Sequence, residues 1–150
     1  MTTSPGLRVA SLVCGVWAGI LLGIALLGTP AGFALAPREL AGKLAGHMLT
    51  REAYASIALC VLLYPVVRKQ ARDAALGASR SVMNTEVLLV LGALFCTLFG
   101  HFALQPAMEA ARAGLGVWPF GALHGISVAF FGLKALLVLA LAWRFSAPGH

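Results

Sequence analysis

Four long apolar stretches, nearly free of charge, leave this chain few ways to fold. They begin near Val9, Ala53, Val87 and Phe120, and each covers most of the about 20 residues that a helix needs to cross about 30 Å of hydrocarbon. The chain is 60% hydrophobic and 11% charged, less than half the about 25% charge of soluble domains. A water-soluble domain of this size has too little interior for so much apolar surface. The sequence therefore predicts an all-α fold, an integral membrane four-helix antiparallel bundle forming a single transmembrane domain over residues 1–150. The expected spans are about 7–28, 50–67, 86–105 and 119–143. The first stretch imitates a signal peptide, with Arg8 as a basic flank and Ala34-Leu35-Ala36 as a cleavage-like site. Its apolar run from Val9 to Leu27 exceeds the usual ~7–15 residues, and Pro37 directly follows the site. The reading is a retained transmembrane helix.

Element boundaries follow from local chemistry. Thr29-Pro30 predicts the end of helix one, because proline disfavours helical continuation. From Arg38 onward, Glu39, Lys43, His47 and Arg51 recur at i, i+4 and stack on one face, with Leu40, Leu44 and Met48 on a neighbouring one. Two readings fit: a continuous helix from Arg38 to Val67, or an amphipathic interfacial segment that bends into helix two near Arg51-Glu52. The interfacial segment is favoured, because the continuous helix would measure about 45 Å, longer than the hydrocarbon is thick. Thr85 as a capping hydroxyl and Glu86 in the first turn predict the start of helix three. Gln105-Pro106 predicts its end. Helix four is expected from Trp118-Pro119 to Trp143, with a tryptophan at each interface.

The formal charge of +6 lies mostly between the apolar stretches, where basic residues orient helices and meet anionic headgroups. Arg68, Lys69, Arg72 and Arg80 form the densest such cluster. With both termini inside, Arg8, Arg144 and that cluster face the cytoplasm, against Arg38, Lys43, Arg51 and Arg112 outside. The expectation is a multi-pass protein of the bacterial inner (cytoplasmic) membrane, N- and C-termini cytoplasmic, with the lipid bilayer as its partner and no nucleic acid. Cys14, Cys60 and Cys96 lie in three different stretches, which makes neither a disulfide framework nor a thiolate metal site. They read as small buried hydrophobes.

Two histidines draw attention. Counted along helices three and four from opposite sides, His101 and His124 reach the same depth of the bilayer. Intramembrane ionisable residues are candidates for function; these two can hydrogen-bond, line a polar cavity, or ligate haem b or a metal ion. Gln105 extends the His101 face, Ser127 lies one turn from His124, and His47 reaches the same outer region. Lys134 stands deep in helix four. It reads as snorkelling to the inner interface, with Glu86 as a possible counter-ion, or as a contact for an anionic substrate. No acidic residue is expected mid-span, which disfavours proton-coupled exporters built on an intramembrane carboxylate. Gly15, Gly19 and Gly23 on helix one, and Gly121 and Gly125 on helix four, make smooth faces for helix packing, within the chain or at a homodimer seam.

Trp17 with Gly19, Pro30 with Phe33, Tyr54, and the run Leu123-His124-Gly125-Ile126-Ser127 carry a resemblance. The chain resembles the bacterial four-span family of unknown function called domain of unknown function 4149, grouped with the transmembrane protein 205-like domain. The resemblance implies a four-helix membrane bundle, singles out Trp17, Gly19, Pro30, Phe33, His124 and Ser127, and supplies no reaction. A looser likeness runs to copper-resistance D proteins and four-span protoporphyrinogen oxidases; those use histidines on early helices, which helix one lacks. The functional expectation is a non-enzymatic membrane protein with no cofactor, binding a small molecule or partner in a polar cavity at the outer side. The alternatives are a haem- or metal-binding redox protein using His101 and His124, and an accessory subunit of a larger membrane complex.

Overall fold

The computed structural model describes residues 5–77 and 83–146. Arg80, expected at the headgroups, lies outside them. The elements are α1 (Pro5–Gly23), α2 (Thr29–Leu35), α3 (Arg38–Gly77), α4 (Thr85–Leu98), α5 (Gln105–Arg112) and α6 (Phe120–Ser146). A π-helical turn, Ile24–Gly28, joins α1 to α2, and a second, Phe99–Leu104, joins α4 to α5. Four rods result, each long and apolar enough to cross a membrane: Gly6–Leu35, Arg38–Asp73, Thr85–Arg112 and Phe120–Ser146.

Neighbouring rods run antiparallel. Trp17 meets Ser56 and Gly28 meets Met48 between the first and second. Cys60 meets the Val90 carbonyl, and Tyr54 meets His101, between the second and third. Glu86 pairs with Arg144 at 2.5 Å, and Phe99 packs against Phe130 with tilted rings, between the third and fourth. The two rods approach closely at Gly92, where a Cβ would come within 3.1 Å of Leu137. α6 also packs along α1, closing the ring of four. Leucines and valines such as Leu12, Leu27, Val61, Leu62, Leu88 and Leu136 point outward, more than half exposed. Side chains so placed suit a hydrocarbon solvent, and Trp118 and Trp143 stand exposed at the two ends of α6.

Local chemistry explains the departures from expectation. Pro30 and Pro106 do not end their helices, since each falls in the first turn after a π segment, where a missing N–H costs nothing and the widened turn makes room for the ring. Residues 38–50 form no separate interfacial segment; they are the opening turns of the unbroken α3. Glu39, Lys43, His47 and Arg51 share its exposed face, and Lys43 pairs with Glu39 at 2.7 Å, while Ala41, Glu52, Ser56, Cys60, Leu63, Val67 and Ala71 are buried on the other. Asn84, not Thr85, caps α4: its side chain accepts from the Val87 N–H at 3.0 Å. Past α5, Gly114 adopts φ +73°, and Leu115 N–H returns to the Ala110 carbonyl, a glycine-dependent helix stop.

Packing is uneven along the rods. One half, around the ends of α3 and α6 and the starts of α1 and α4, is a solid core of Ala10, Cys14, Trp17, Leu21, Leu63, Val67, Val87, Val90, Val138 and Leu141. The other half, which carries the 1–2 and 3–4 connections, holds a smaller buried cluster of Leu104, Met108 and Leu123 and is otherwise open.

Candidate functional site

A cavity of about 360 Å³ occupies the open half, walled by all four rods. Both π turns reach it: Ile24 and Ala25 from the first, Gly100 and His101 from the second. Each inserts an extra residue that bulges a helix locally, a device frequent at functional sites. Gly42, Ala45 and Gly46 on α3 keep the space clear, and Phe33, Leu49, Met108, Phe130 and Phe131 supply apolar wall.

The inner end of the cavity is charged. Lys134 Nζ donates to Glu52 Oε2 at 2.6 Å, with both side chains buried. Ser56 Oγ, one turn on from Glu52, donates to its Oε1, and Trp17 Nε1 donates to Ser56 Oγ at 2.8 Å. Three rods are thus tied through one carboxylate. Lys134 Nζ also stands 5.0 Å from the Phe131 ring centroid. Lys134 falls close to the middle of α6, with fourteen residues before it and twelve after. Charges there are tolerated only when paired, because an isolated ion loses its hydration with nothing in return.

Two expectations are corrected here. Lys134 does not snorkel: it is 4% exposed, and its counter-ion is Glu52. Glu86 belongs instead to Arg144 at the other end of the rods. An acidic residue does lie within a span, so the argument against proton-coupled chemistry from a missing carboxylate falls.

The cavity gathers His101, Gln105, His124, Ser127 and Lys134, and omits His47, which is exposed on α3. The two histidine rings keep different company. His101 meets Tyr54 edge-on at 5.2 Å and Phe102 at 4.8 Å, whereas His124 stacks on Phe120 at 5.7 Å. His101 Nδ1 is buried with no hydrogen-bond partner among the described residues, an omission that proteins rarely leave unexplained. Among those residues no three His, Cys, Asp or Glu side chains group as a metal site. Arg112 joins the wall with its guanidinium 4.6 Å over Phe120. Of the family-like residues, Phe33, His124 and Ser127 line the cavity, and Trp17 anchors the network beneath it.

The glycines expected to pack helices together do not do so within the chain. At Gly15, Gly19, Gly23, Gly121 and Gly125 an added Cβ would meet nothing within 4 Å.

Glu52, Arg112 and Thr97, the last lining the cavity from α4, are the site residues that sequence reasoning missed. A signal for Glu52 was there: stepping back from Val67, Leu63, Cys60 and Ser56 by three or four residues lands on Glu52 and not on Arg51.

Residues 12–115 match the model of the family described as Domain of unknown function (DUF4149). No curated protein matches the chain, and no solved structure does.

Proposed function

Because the chain belongs to the family Domain of unknown function (DUF4149), whose description names no activity, we propose its function from the cavity: it is a multi-pass membrane protein that binds a small amphiphilic molecule between its spans. One observation carries the reading. An apolar-walled space of about 360 Å³, with convergent polar groups from the second, third and fourth rods, lies among four helices long and apolar enough to cross a membrane, where polar side chains are costly. The basic bias of the loops supports a bacterial inner membrane with both termini cytoplasmic, so the cavity belongs to the outer half.

The test is native mass spectrometry of protein released gently from its membrane. A bound small molecule is expected, and it should vanish in Ser127→Trp, which fills the space. A bare polypeptide from native membrane, with no amphiphile raising its thermal stability, would sink the proposal. A second reading, ligation of haem or a metal by His101 and His124, draws support from both rings lining this one cavity; a visible absorption spectrum on the same preparation separates the two. A third, a homodimer or accessory-subunit role, draws support from the outward-facing Gly15 and Gly19.

A further inference from the structure

The Glu52–Lys134 pair faces the cavity from its inner end, and that placement bears on what kind of molecule the cavity takes. Resting on the small-molecule reading above, we infer that the ligand is a single-chain carboxylate and that each molecule bound brings one proton onto Glu52. Lys134 Nζ already holds a carboxylate oxygen at 2.6 Å, so a ligand carboxylate is the chemical equal of the group it displaces. His101 Nδ1, from the third rod, offers an unused polar atom to the ligand. Glu52 is the one acidic side chain among the described lining residues. The apolar walls of Phe33, Leu49, Met108 and Phe131 suit an alkyl chain, and about 360 Å³ is a volume that takes a small ligand.

Charge balance sets the proton count. Arg112 lies over Phe120, fourteen residues and about 21 Å along α6 from Lys134, so at the inner end two carboxylates beside one buried ammonium leave a negative charge without compensation, which costs more than the pairing returns. A proton from water on Glu52 Oε2 removes that charge, as Lys134 Nζ passes its hydrogen bond to the ligand. Ser56 remains on Oε1. The ligand anion and one proton enter together, with no net charge moved. The groups facing Glu52 are Lys134 from the fourth rod, Ser56 and Cys60 on its own helix, and Trp17 from the first through Ser56. Cys96, His101 and Arg112 from the third, and His124 from the fourth, complete the titratable and charged lining.

Dodecanoate is titrated into the full chain in phosphatidylcholine nanodiscs, with empty discs subtracted and dodecanol run alongside. In weakly buffered solution, one proton is taken up per dodecanoate bound. Affinity falls as pH rises, with a limiting slope of about tenfold per pH unit, the most that one linked proton allows. Glu52→Gln abolishes that slope, while His101→Asn and His124→Gln keep it. No proton uptake, or a slope that persists in Glu52→Gln, overturns the inference. Should Glu52→Gln fail to fold, infrared difference spectra of the native chain with carboxyl-labelled dodecanoate decide: a protonated-carboxyl band without the isotope shift puts the proton on the protein, and an isotope-shifted band puts it on the ligand and overturns the inference. Dodecanol binding without dodecanoate binding overturns the carboxylate assignment and leaves the cavity reading standing. Binding of neither removes the cavity reading itself.

Discussion

Replacing Lys134 by methionine removes the ammonium 2.6 Å from Glu52 and leaves a carboxylate buried near the middle of the spans. Losing one partner of a buried ion pair costs about 3–5 kcal/mol, while replacing both by apolar residues of similar volume is often neutral. Lys134→Met is therefore expected to lower the unfolding free energy by about that amount, and Glu52→Leu with Lys134→Met to recover most of it. Chemical denaturation in detergent micelles measures both, and a double variant as unstable as the single would refute the account. At this scale the sequence was partly legible. His101, Gln105, His124, Ser127 and Lys134 stood out because polar side chains are rare in apolar runs. Glu52 was hidden by its neighbour: Arg51-Glu52 looks like a solvated junction until the buried stripe Ser56, Cys60, Leu63 and Val67 is extended backwards by one turn.

Pro30 and Pro106 were read as helix ends because an interior proline removes a backbone hydrogen bond and crowds the preceding turn, although Pro65 stands inside α3. Pro30 and Pro106 are instead accommodated beside π turns, and the extra residue in each turn re-phases the helix beyond it. Deleting exposed Leu26 from the first of these turns should anneal it to ordinary α-helix and leave both flanks in register. Deleting Leu12 from the regular α1 should rotate Cys14, Trp17 and Leu21 out of the core by about 100°. Circular-dichroism melting is expected to show a cooperative transition for the first deletion and none for the second; equal damage from both would deny the π turn its role. Hydropathy located the rods well, since composition alone decides whether a segment of that length can sit in lipid. It could not show that α3 begins at Arg38, because one face of its opening turns is fully charged while the other already carries buried Ala41.

Across the whole molecule, loop charge sets the expected orientation. The three native cysteines are buried, so a cysteine placed at Val117, 96% exposed, or at Leu76, 89% exposed, is a clean reporter. A membrane-impermeant maleimide should label Val117→Cys on intact spheroplasts and Leu76→Cys only after lysis; the reverse pattern would invert the proposed topology. Either way up, the uneven packing has a mechanical meaning. Beyond the charged end of the cavity, Trp17, Leu21, Val90, Val138 and Leu141 are essentially inaccessible, so nothing the size of a metabolite passes between them while the helices keep this arrangement. In this arrangement the protein is a cup and not a conduit: what enters leaves by the same mouth, and carriage to the far side would require those five side chains to part.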